Sequence, residues 1–460
     1  MTPSRSVPVV QGSWLLGSAL PLRRDVLGTF AAARARYGDV VRFDAGPPGM
    51  RRTFYGAFHP DGVRQVLATD NANYRKDNAA YLEMRALFGD GLLTSQDETW
   101  RRQKRFLQPL FTAKRVTGYA GLMVEETAAL LDRWRAAPAG HTVELHQEMM
   151  RLALRVAGGS LFGADVEAAV PVIERTVPPL ARHMIARALG PVRVPRGWPT
   201  PGNRRADRYQ RALFALCDDL IARRRADGPG RADDLMSLLV AASGGADPLS
   251  DTEIRDQVLI FLLAGHDTTG AALSYGLWLL GWHPEVQARA RAEVADVLGD
   301  RTPTAADADR LSYLNQIVQE TLRLYPSAPA IGRMTAAGGE LGGYRLPPRA
   351  EVFVSPWVTH RHPDFWPDPE RFDPDRFAPE RVHARPRYAW FPFGGGPRAC
   401  IGQYFAMLEA TLAMAMVLRR FELHTSPEPP AYDYRITLQP ATALTCALYP
   451  AAASASSVTR

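Results

Sequence analysis

The sequence predicts a mainly α-helical protein with a minor β component, folded as a single large domain. Helical patterns dominate between residues 98 and 324, whereas short strand-like segments occur only towards the two ends. No repeat or long linker divides the 460 residues, and 46% of them are hydrophobic, which suits one large core. We therefore expect a main domain over residues 25–450, an irregular N-terminal segment over 1–24 and a disordered tail over 451–460.

Short segments at either end define the predicted β component. After a helix over residues 25–37, strands over 40–43 and 52–55 are expected to form a small N-terminal β-rich region around a glycine-rich turn. Strand-like segments return at 351–355 and after Phe421. The β content is therefore expected at both ends of the chain.

Loops rich in proline and glycine interrupt the predicted helical body near residues 188–203, 227–232 and 243–249. The last loop leads into a long helix. Either Ser250 or Asp251 is a suitable N-cap for that helix, because a short polar side chain accepts hydrogen bonds from the first turn.

The formal net charge of +7 comes mostly from arginines spread along the chain. One dense basic group, formed by Arg101, Arg102, Lys104 and Arg105, is too short for a nucleic-acid-binding arm. Nucleic-acid binding is therefore disfavoured. An acidic protein partner is expected instead, because a basic surface steers such a partner to its docking site.

Three cysteines, Cys217, Cys400 and Cys446, are too few and too scattered for a disulfide framework, which favours a reducing cytoplasm. The apolar stretch over residues 14–22 is short and contains Gly17 and Pro21, so neither a signal peptide nor a membrane span is expected. We expect a cytoplasmic monomer.

Cys400 is the strongest functional signal, because it follows a glycine-rich loop and is predicted to open an apolar helix over residues 401–418. Backbone N–H groups at a helix N-terminus favour a thiolate, and thiolate is a strong electron-donating ligand of haem iron. In the string over residues 391–402, Phe393 is suited to shield the sulfur, Arg398 to pair with a propionate, and Gly402 to leave room for the porphyrin. The sequence predicts a haem b site with Cys400 as the metal ligand.

With this motif, the sequence closely resembles the cytochrome P450 family over nearly the whole chain, in particular soluble bacterial members that oxidise fatty acids or terpenoids. The resemblance implies the cytochrome P450 fold, with the helix that contains Ala264-Gly-His-Asp-Thr-Thr269 crossing the distal face of the haem. It implies that Thr268 hydrogen-bonds oxygen there and that Asp267 supplies protons through water, as a catalytic acid–alcohol pair. Gly265 is expected to permit a local kink.

Glu320 and Arg323 lie three residues apart on one predicted helix. The resemblance implies that this pair is buried and structural. It also implies completion of the pair by Arg376, in Pro374-Asp-Arg-Phe377, and the similar string over residues 369–372 fits less well. These three residues are expected to stabilise the segment that presents the Cys400 loop.

Further cationic residues are expected to hold the haem propionates. The resemblance implies this role for Arg333 and for the helix that begins near Trp100, where the indole N–H is a further donor. Four residues after Trp100 the family often has arginine, whereas this chain has Lys104, which cannot form a bidentate fork.

The resemblance implies a mostly apolar substrate pocket assembled from distant segments. Small side chains near the expected iron leave room for a bulky molecule. The predicted lining residues are Phe261, Ala264, Ala328, Ala330, Ile331 and Leu438, with the segment over residues 79–88 and Met184 as further contributors.

The expected function is a haem-thiolate monooxygenase that hydroxylates or epoxidises a lipophilic small molecule with O₂, in terpenoid or polyketide-type natural-product biosynthesis. Because the chain ends soon after its last strands, electrons are expected from a separate ferredoxin or flavodoxin and an NAD(P)H-dependent reductase. A fatty-acid hydroxylase and a peroxygenase that uses hydrogen peroxide are alternatives. A non-catalytic haem-binding protein is an alternative of another class. The acid–alcohol pair argues against the peroxygenase and the non-catalytic protein.

Overall fold

The computed structural model describes residues 6–163, 169–189, 194–227, 234–242 and 248–451. The predicted tail lies outside these residues except for Ala451, as do parts of the three predicted loops. Within the described ranges, no helix has the length and apolar character needed to cross a membrane.

The N-terminal part alternates short helices with strands. In order, these are α1 Ala19–Arg24, α2 Val26–Tyr37, β1 Val40–Ala45, β2 Arg52–Ala57, α3 Pro60–Arg64, a π-helical turn over Gln65–Thr69, β3 Tyr74–Arg75 and α4 Ala79–Phe88.

The central part is the helical body. It comprises α5 Asp97–Leu107, α6 Ala113–Thr117, α7 Ala120–Arg135, β4 Thr142–Glu144, α8 Leu145–Ala157, α9 Val170–Leu189, α10 Pro201–Asp227, α11 Leu235–Ala241, α12 Asp251–Trp282, α13 Pro284–Leu298, α14 Ala305–Ala308 and α15 Ser312–Leu324, with a 3₁₀ turn over Gln108–Phe111 and a π-helical turn over Gly158–Phe162.

The C-terminal part mixes strands and short helices around one long helix. It comprises β5 Ile331–Thr335, β6 Gly339–Leu341, β7 Tyr344–Leu346, β8 Glu351–Val354, α16 Pro356–Thr359, α17 Pro379–His383, α18 Gln403–Arg420, β9 Phe421–Thr425, β10 Tyr432–Tyr434, β11 Leu438–Pro440 and β12 Thr445–Pro450, with 3₁₀ turns over Pro374–Phe377, Arg387–Ala389 and Gly396–Arg398.

This arrangement confirms the predicted mainly α class with a minor β part. The main sheet has the order β1-β2-β8-β5-β3, so strands from both ends of the chain form one sheet. Two strands, β4 and β9, flank β12 in a second sheet, and β10 pairs with β11 in a small antiparallel ribbon. Sequence patterns missed β4, because three residues between two helices give too short an alternation.

Two predicted boundaries differ from the structure. The N-terminal segment is not wholly irregular, since α1 forms and buries Leu22 against the core. Helix α18 begins at Gln403, two residues later than predicted, because Ile401 and Gly402 form a turn. Cys400 therefore precedes the helix rather than opening it.

Helix α12 runs through the middle of the molecule and positions the site. Ser250 is its N-cap: the Ser250 hydroxyl accepts from Glu253 N at 3.2 Å, and the Glu253 carboxylate accepts from Ser250 N at 2.9 Å. Most of the helix is buried against α8, α15 and α18. At Gly270 an added Cβ would lie 2.6 Å from Met150 Sδ, so glycine permits the close packing of α8 on α12.

Candidate active site

A cavity of about 440 Å³ lies between α12 and the loop that precedes α18. This volume is within the range of small-molecule sites. Cys400 lines one side, and Asp267 and Thr268 of α12 line another. The fold therefore brings the two strongest motifs of the sequence to one space.

The Cys400 loop is held tightly by its backbone. Cys400 N donates to Phe393 O at 2.8 Å, which closes the turn around the glycines. Gly394 and Gly396 have φ values of 73° and 64°, in the left-handed region that favours glycine. A Cβ on Gly396 would lie 1.9 Å from Leu67 O, so only glycine fits against that backbone.

The thiol of Cys400 faces the cavity. Burial raises the pKa of the Cys400 thiol, while the backbone N–H of Gly402 opposes that rise. A Cβ on Gly402 would lie 3.9 Å from Cys400 Sγ, with no closer neighbour, so glycine leaves the space beside the sulfur open. Phe393 also lines this side and packs edge-on to Trp390, with ring centroids 6.4 Å apart.

The predicted structural group, Glu320, Arg323 and Arg376, is assembled behind this loop. Glu320 and Arg323 are fully buried and form two hydrogen bonds, Nε to Oε2 at 2.6 Å and Nη2 to Oε1 at 2.8 Å. Arg376 Nε lies 3.4 Å from Glu320 Oε1. Arg371 contributes only its carbonyl, which accepts from Arg323 Nη2 at 3.0 Å.

These side chains also bind the backbone of the segment before the loop. Arg323 Nη1 donates to the carbonyls of His360 and Pro369, at 3.0 and 2.6 Å. Arg376 donates to the carbonyls of Pro367 and Asp368, at 2.6 and 2.8 Å. An otherwise irregular segment thereby has its carbonyls satisfied by buried guanidinium groups.

Two arginines, Arg333 (buried) and Arg398 (partly buried), line the cavity beside the Cys400 loop. Arg333 Nη1 donates to Gly332 O at 2.8 Å, and Arg398 Nη2 donates to Ser95 O. Arg398 Nη1 is buried and has no hydrogen-bond partner within the described chain. Burial, together with the charge of Arg333, lowers the pKa of Arg398 to about 10.

Lys76 is a further cation at this cavity, and the sequence did not indicate it. It is 5% exposed, lines the cavity and donates from Nζ to Leu93 O at 2.6 Å. Burial and the charges of Arg333 and Arg398 lower its pKa well below the usual value. Nothing in the sequence marked this residue, because a single lysine after a short strand has no recognisable pattern.

Trp100 and Lys104 also line the cavity. Lys104 Nζ donates to Pro397 O at 2.7 Å, and so supports the Cys400 loop. The Arg398 guanidinium lies over the Trp100 ring, 4.2 Å from its centroid. A propionate contact of Lys104 remains a prediction.

These residues fit a haem. The described ion pairs include none for Lys76, Arg333 or Arg398, although buried cations are costly unless an anion compensates them. Two propionates would supply such anions beside the cavity. In the described ranges, no cluster of three His, Cys, Asp or Glu could hold a metal. Cys400 alone would suffice as the protein ligand of a haem iron, because the porphyrin itself would supply four nitrogen ligands.

The opposite wall contains the predicted acid and alcohol. The Thr268 hydroxyl donates to Ala264 O at 2.8 Å, the usual arrangement for threonine within a helix. The Asp267 carboxylate accepts from Gln439 and Thr437. Helix α12 is continuous through Gly265, where an added Cβ would lie 3.1 Å from Ala157 Cβ. Gly265 thus permits close packing with α8.

The predicted pocket residues separate into two groups. Phe261, Ala264, Ala328, Ala330 and Ile331 line the cavity, as do Met184 and part of α4. Leu438 does not; it is fully buried in the core, while Ile436 and Thr437 line the cavity instead. This prediction missed by one residue, because neighbouring residues of an extended segment point to opposite sides.

Comparisons with known proteins agree with this geometry. The family model described as Cytochrome P450 matches residues 7–447. Cyclooctatin synthase of Streptomyces melanosporofaciens is 38% identical, with 90% of this chain and 89% of that protein covered. Cyclooctat-9-en-7-ol 5-monooxygenase of the same organism is 34% identical, covering 93% and 94%. Pentalenene oxygenase of Streptomyces avermitilis is 33% identical, covering 93% and 92%.

The family match spans nearly the whole chain and includes every residue of the cavity. Together with the Cys400 loop, the buried cations and the wall formed by α12, it establishes haem b with a cysteine thiolate ligand as the cofactor. The chain belongs to the cytochrome P450 family and is a haem-thiolate monooxygenase.

Proposed function

We propose that this monooxygenase hydroxylates or epoxidises a terpenoid in bacterial natural-product biosynthesis. The observation that carries the proposal is the apolar cavity between Cys400 and α12, in which small side chains, Ala264, Ala328 and Ala330, leave room for a bulky skeleton. The relatives that act in terpenoid biosynthesis support the same class. In a hydroxylation, substrate, O₂, NAD(P)H and one proton give the alcohol, water and NAD(P)⁺.

The bound haem supplies oxygen binding and activation. Cys400 would hold the iron, and Arg333, Arg398 and Lys76 would hold the propionates. The Thr268 hydroxyl would donate a hydrogen bond on the α12 side of the cavity, and Asp267 would supply protons there. The apolar lining excludes bulk water, which limits the loss of reducing equivalents as peroxide.

We infer that electrons come from an acidic ferredoxin or flavodoxin, served by an NAD(P)H-dependent reductase. Helix α5 lies against the Cys400 loop through the Lys104–Pro397 contact, and it exposes Arg101 and Arg105. Glu98 is the carboxylate that both arginines share, so this surface keeps a positive charge. The free cysteines suit a reducing cytoplasm, where such partners occur.

Two measurements test the proposed function. The reduced enzyme with carbon monoxide should show the red-shifted Soret band of thiolate-ligated haem, whereas a histidine-type band would refute the role of Cys400. A panel of terpenoids, macrolide aglycones and fatty acids should then be screened by the substrate-induced Soret shift, followed by product analysis with a ferredoxin system. Terpenoid oxidation supports the proposal, and oxidation of fatty acids alone would contradict it.

Thr268→Ala tests the acid–alcohol pair. Loss of the hydroxyl should increase peroxide released per NAD(P)H consumed, roughly tenfold, because general acid catalysis at the distal side depends on this group. Thr268→Ser keeps a hydroxyl and should retain coupling. Equal coupling in the alanine variant would argue against the pair, and efficient turnover with hydrogen peroxide alone would favour a peroxygenase.

A further inference from the structure

The Asp267 carboxylate is held by a separate part of the chain, the end of the β10–β11 ribbon. Gln439 Nε2 donates to Asp267 Oδ1 at 2.7 Å, and the Thr437 hydroxyl donates to Asp267 Oδ2. Gln439 Nε2 also lies 3.4 Å from Thr437 Oγ1, so the three side chains form one network. Both carboxylate oxygens are therefore oriented from outside α12.

The same ribbon is attached to the backbone of α12 beside the alcohol. Leu438 N donates to Ser327 O at 3.0 Å, and Ser327 Oγ donates to Thr268 O at 2.8 Å. Thr437 in turn lines the cavity, next to Asp267. One short segment thus contacts the carboxylate of Asp267, the cavity and, through Ser327, the residue that bears the alcohol.

Within the part of the chain that the structure describes, the hydrogen-bond donors to Asp267 are neutral side chains. Arg435 also lines the cavity, but its guanidinium is paired with Asp433 at 2.6 Å. His266 and His146 also face this carboxylate, and burial lowers the pKa of each imidazole, which favours neutral rings at pH 7. Two neutral donors thus fix the orientation of the carboxylate without a charge-assisted bond to it.

We propose that Thr437 and Gln439 are positioning residues for proton delivery: they fix the orientation of Asp267 at the edge of the substrate cavity. The inference rests on the proposed role of Asp267 in the reaction. Neither residue touches the reacting atoms, and each acts through the carboxylate that it holds. Because Thr437 forms part of the cavity wall, a substrate that packs against it contacts the same network.

Paired variants at position 437 test the proposal. Thr437→Val has nearly the same shape but lacks the hydroxyl, so it should release at least about fivefold more peroxide per NAD(P)H than the wild type. Thr437→Ser retains a donor and should restore coupling. Gln439→Leu should show a similar loss. If the valine variant couples as well as the wild type, the positioning role is wrong.

A double-mutant cycle separates this proposal from the role of Asp267 itself. If Thr437 acts through Asp267, the Thr437→Val/Asp267→Asn double variant should be no less coupled than Asp267→Asn alone. Additive losses would overturn the positioning role. Normal coupling in Asp267→Asn would instead refute the acid–alcohol assignment, and with it the basis of this inference.

An infrared measurement on the resting enzyme provides a readout without turnover. The carboxylate stretch that disappears in Asp267→Asn identifies Asp267, and this band should shift in Thr437→Val but not in Thr437→Ser, because a hydroxyl donor polarises the carboxylate. A band unchanged in the valine variant would contradict the hydrogen bond. Circular dichroism and haem content establish that each variant is folded.

Discussion

Lys76 is a buried cation whose position indicates where an anionic group of a ligand would bind. A buried ammonium without a counter-ion destabilises the protein, whereas a nearby anion would stabilise the charge. The neighbours of Lys76 Nζ are the Leu93 carbonyl and the face of the Tyr81 ring, and the residue lines the cavity near Arg333 and Arg398. We therefore expect Lys76 to pair with a haem propionate, a role that no motif in the sequence indicated.

Lys76→Gln should weaken haem retention, because the amide removes one of the charges available to the propionates. We expect haem transfer to excess apomyoglobin to be roughly tenfold faster, in line with the loss of one charge-assisted hydrogen bond of about 1.5–3 kcal/mol. The control is Lys114→Gln on α6, where the lysine is exposed. Equal transfer rates in both variants would contradict the role of Lys76.

At the scale of elements, α15 connects the helical core to the irregular segment that leads to the Cys400 loop. Its two charged residues, Glu320 and Arg323, have no exposed surface, and besides each other and Arg376 they bind backbone groups of residues 360–373. The geometry of a loop without regular hydrogen bonds thus depends on a buried ion pair. Such a pair is costly to break because the remaining charge stays buried.

Glu320→Gln should destabilise the enzyme by about 3–5 kcal/mol, since it leaves the Arg323 guanidinium buried without its counter-charge. Haem content should fall as well, because the Cys400 loop loses its support. Urea unfolding and the pyridine haemochrome assay measure the two effects. Asp219→Asn, at the exposed Asp219–Arg223 pair of α10, is the control and should change stability by less than about 1 kcal/mol.

At the scale of the whole molecule, stability depends on pH through groups that folding buries. Glu409 of α18 is 1% exposed, and neither of its carboxylate oxygens has a hydrogen-bond partner in the described part of the chain. Burial raises the pKa of Glu409 well above its usual value. The folded protein then binds a proton that the unfolded chain releases, so the stabilisation present at low pH is lost as the pH rises towards the folded pKa.

Glu409→Gln removes this ionisation. As the pH rises above the usual pKa of glutamate, the free energy of unfolding of the wild type should therefore fall relative to that of the variant, by up to about 1.4 kcal/mol per pH unit. Urea unfolding at three pH values measures this slope. Glu285→Gln, at an exposed position of α13, should show no such trend. A difference independent of pH would mean that Glu409 is ionised in the folded protein.

The positive surface of α5 beside the Cys400 loop is expected to affect the whole molecule's association with its redox partner. Arg105→Glu on α5 should slow reduction by an acidic ferredoxin about fivefold at low ionic strength, and added salt should diminish the difference. Stopped-flow measurement of the reduction rate provides the test. The control is Arg208→Glu on α10, which packs on α9, α11 and α12. If both variants are reduced equally slowly, docking does not occur at α5.

The sequence by itself determined the features that depend on local pattern. The loop around Cys400 needs glycines at fixed positions, and helix α12 is defined by the Ser250 capping box and a long apolar pattern. The sequence predicts both features because their physical causes lie within a few residues. The resemblance to a family added the fold, the cofactor and the pairing of Glu320 with Arg323.

Only the tertiary structure decided which distant residues meet. Lys76 lies beside Arg398, Thr437 and Gln439 bind Asp267, and Lys104 contacts Pro397 rather than pointing freely into the cavity. Each of these contacts joins elements that are far apart in the chain. The direction of a side chain at such a contact depends on packing and on the desolvation of charge, and neither leaves a periodic signal in the sequence.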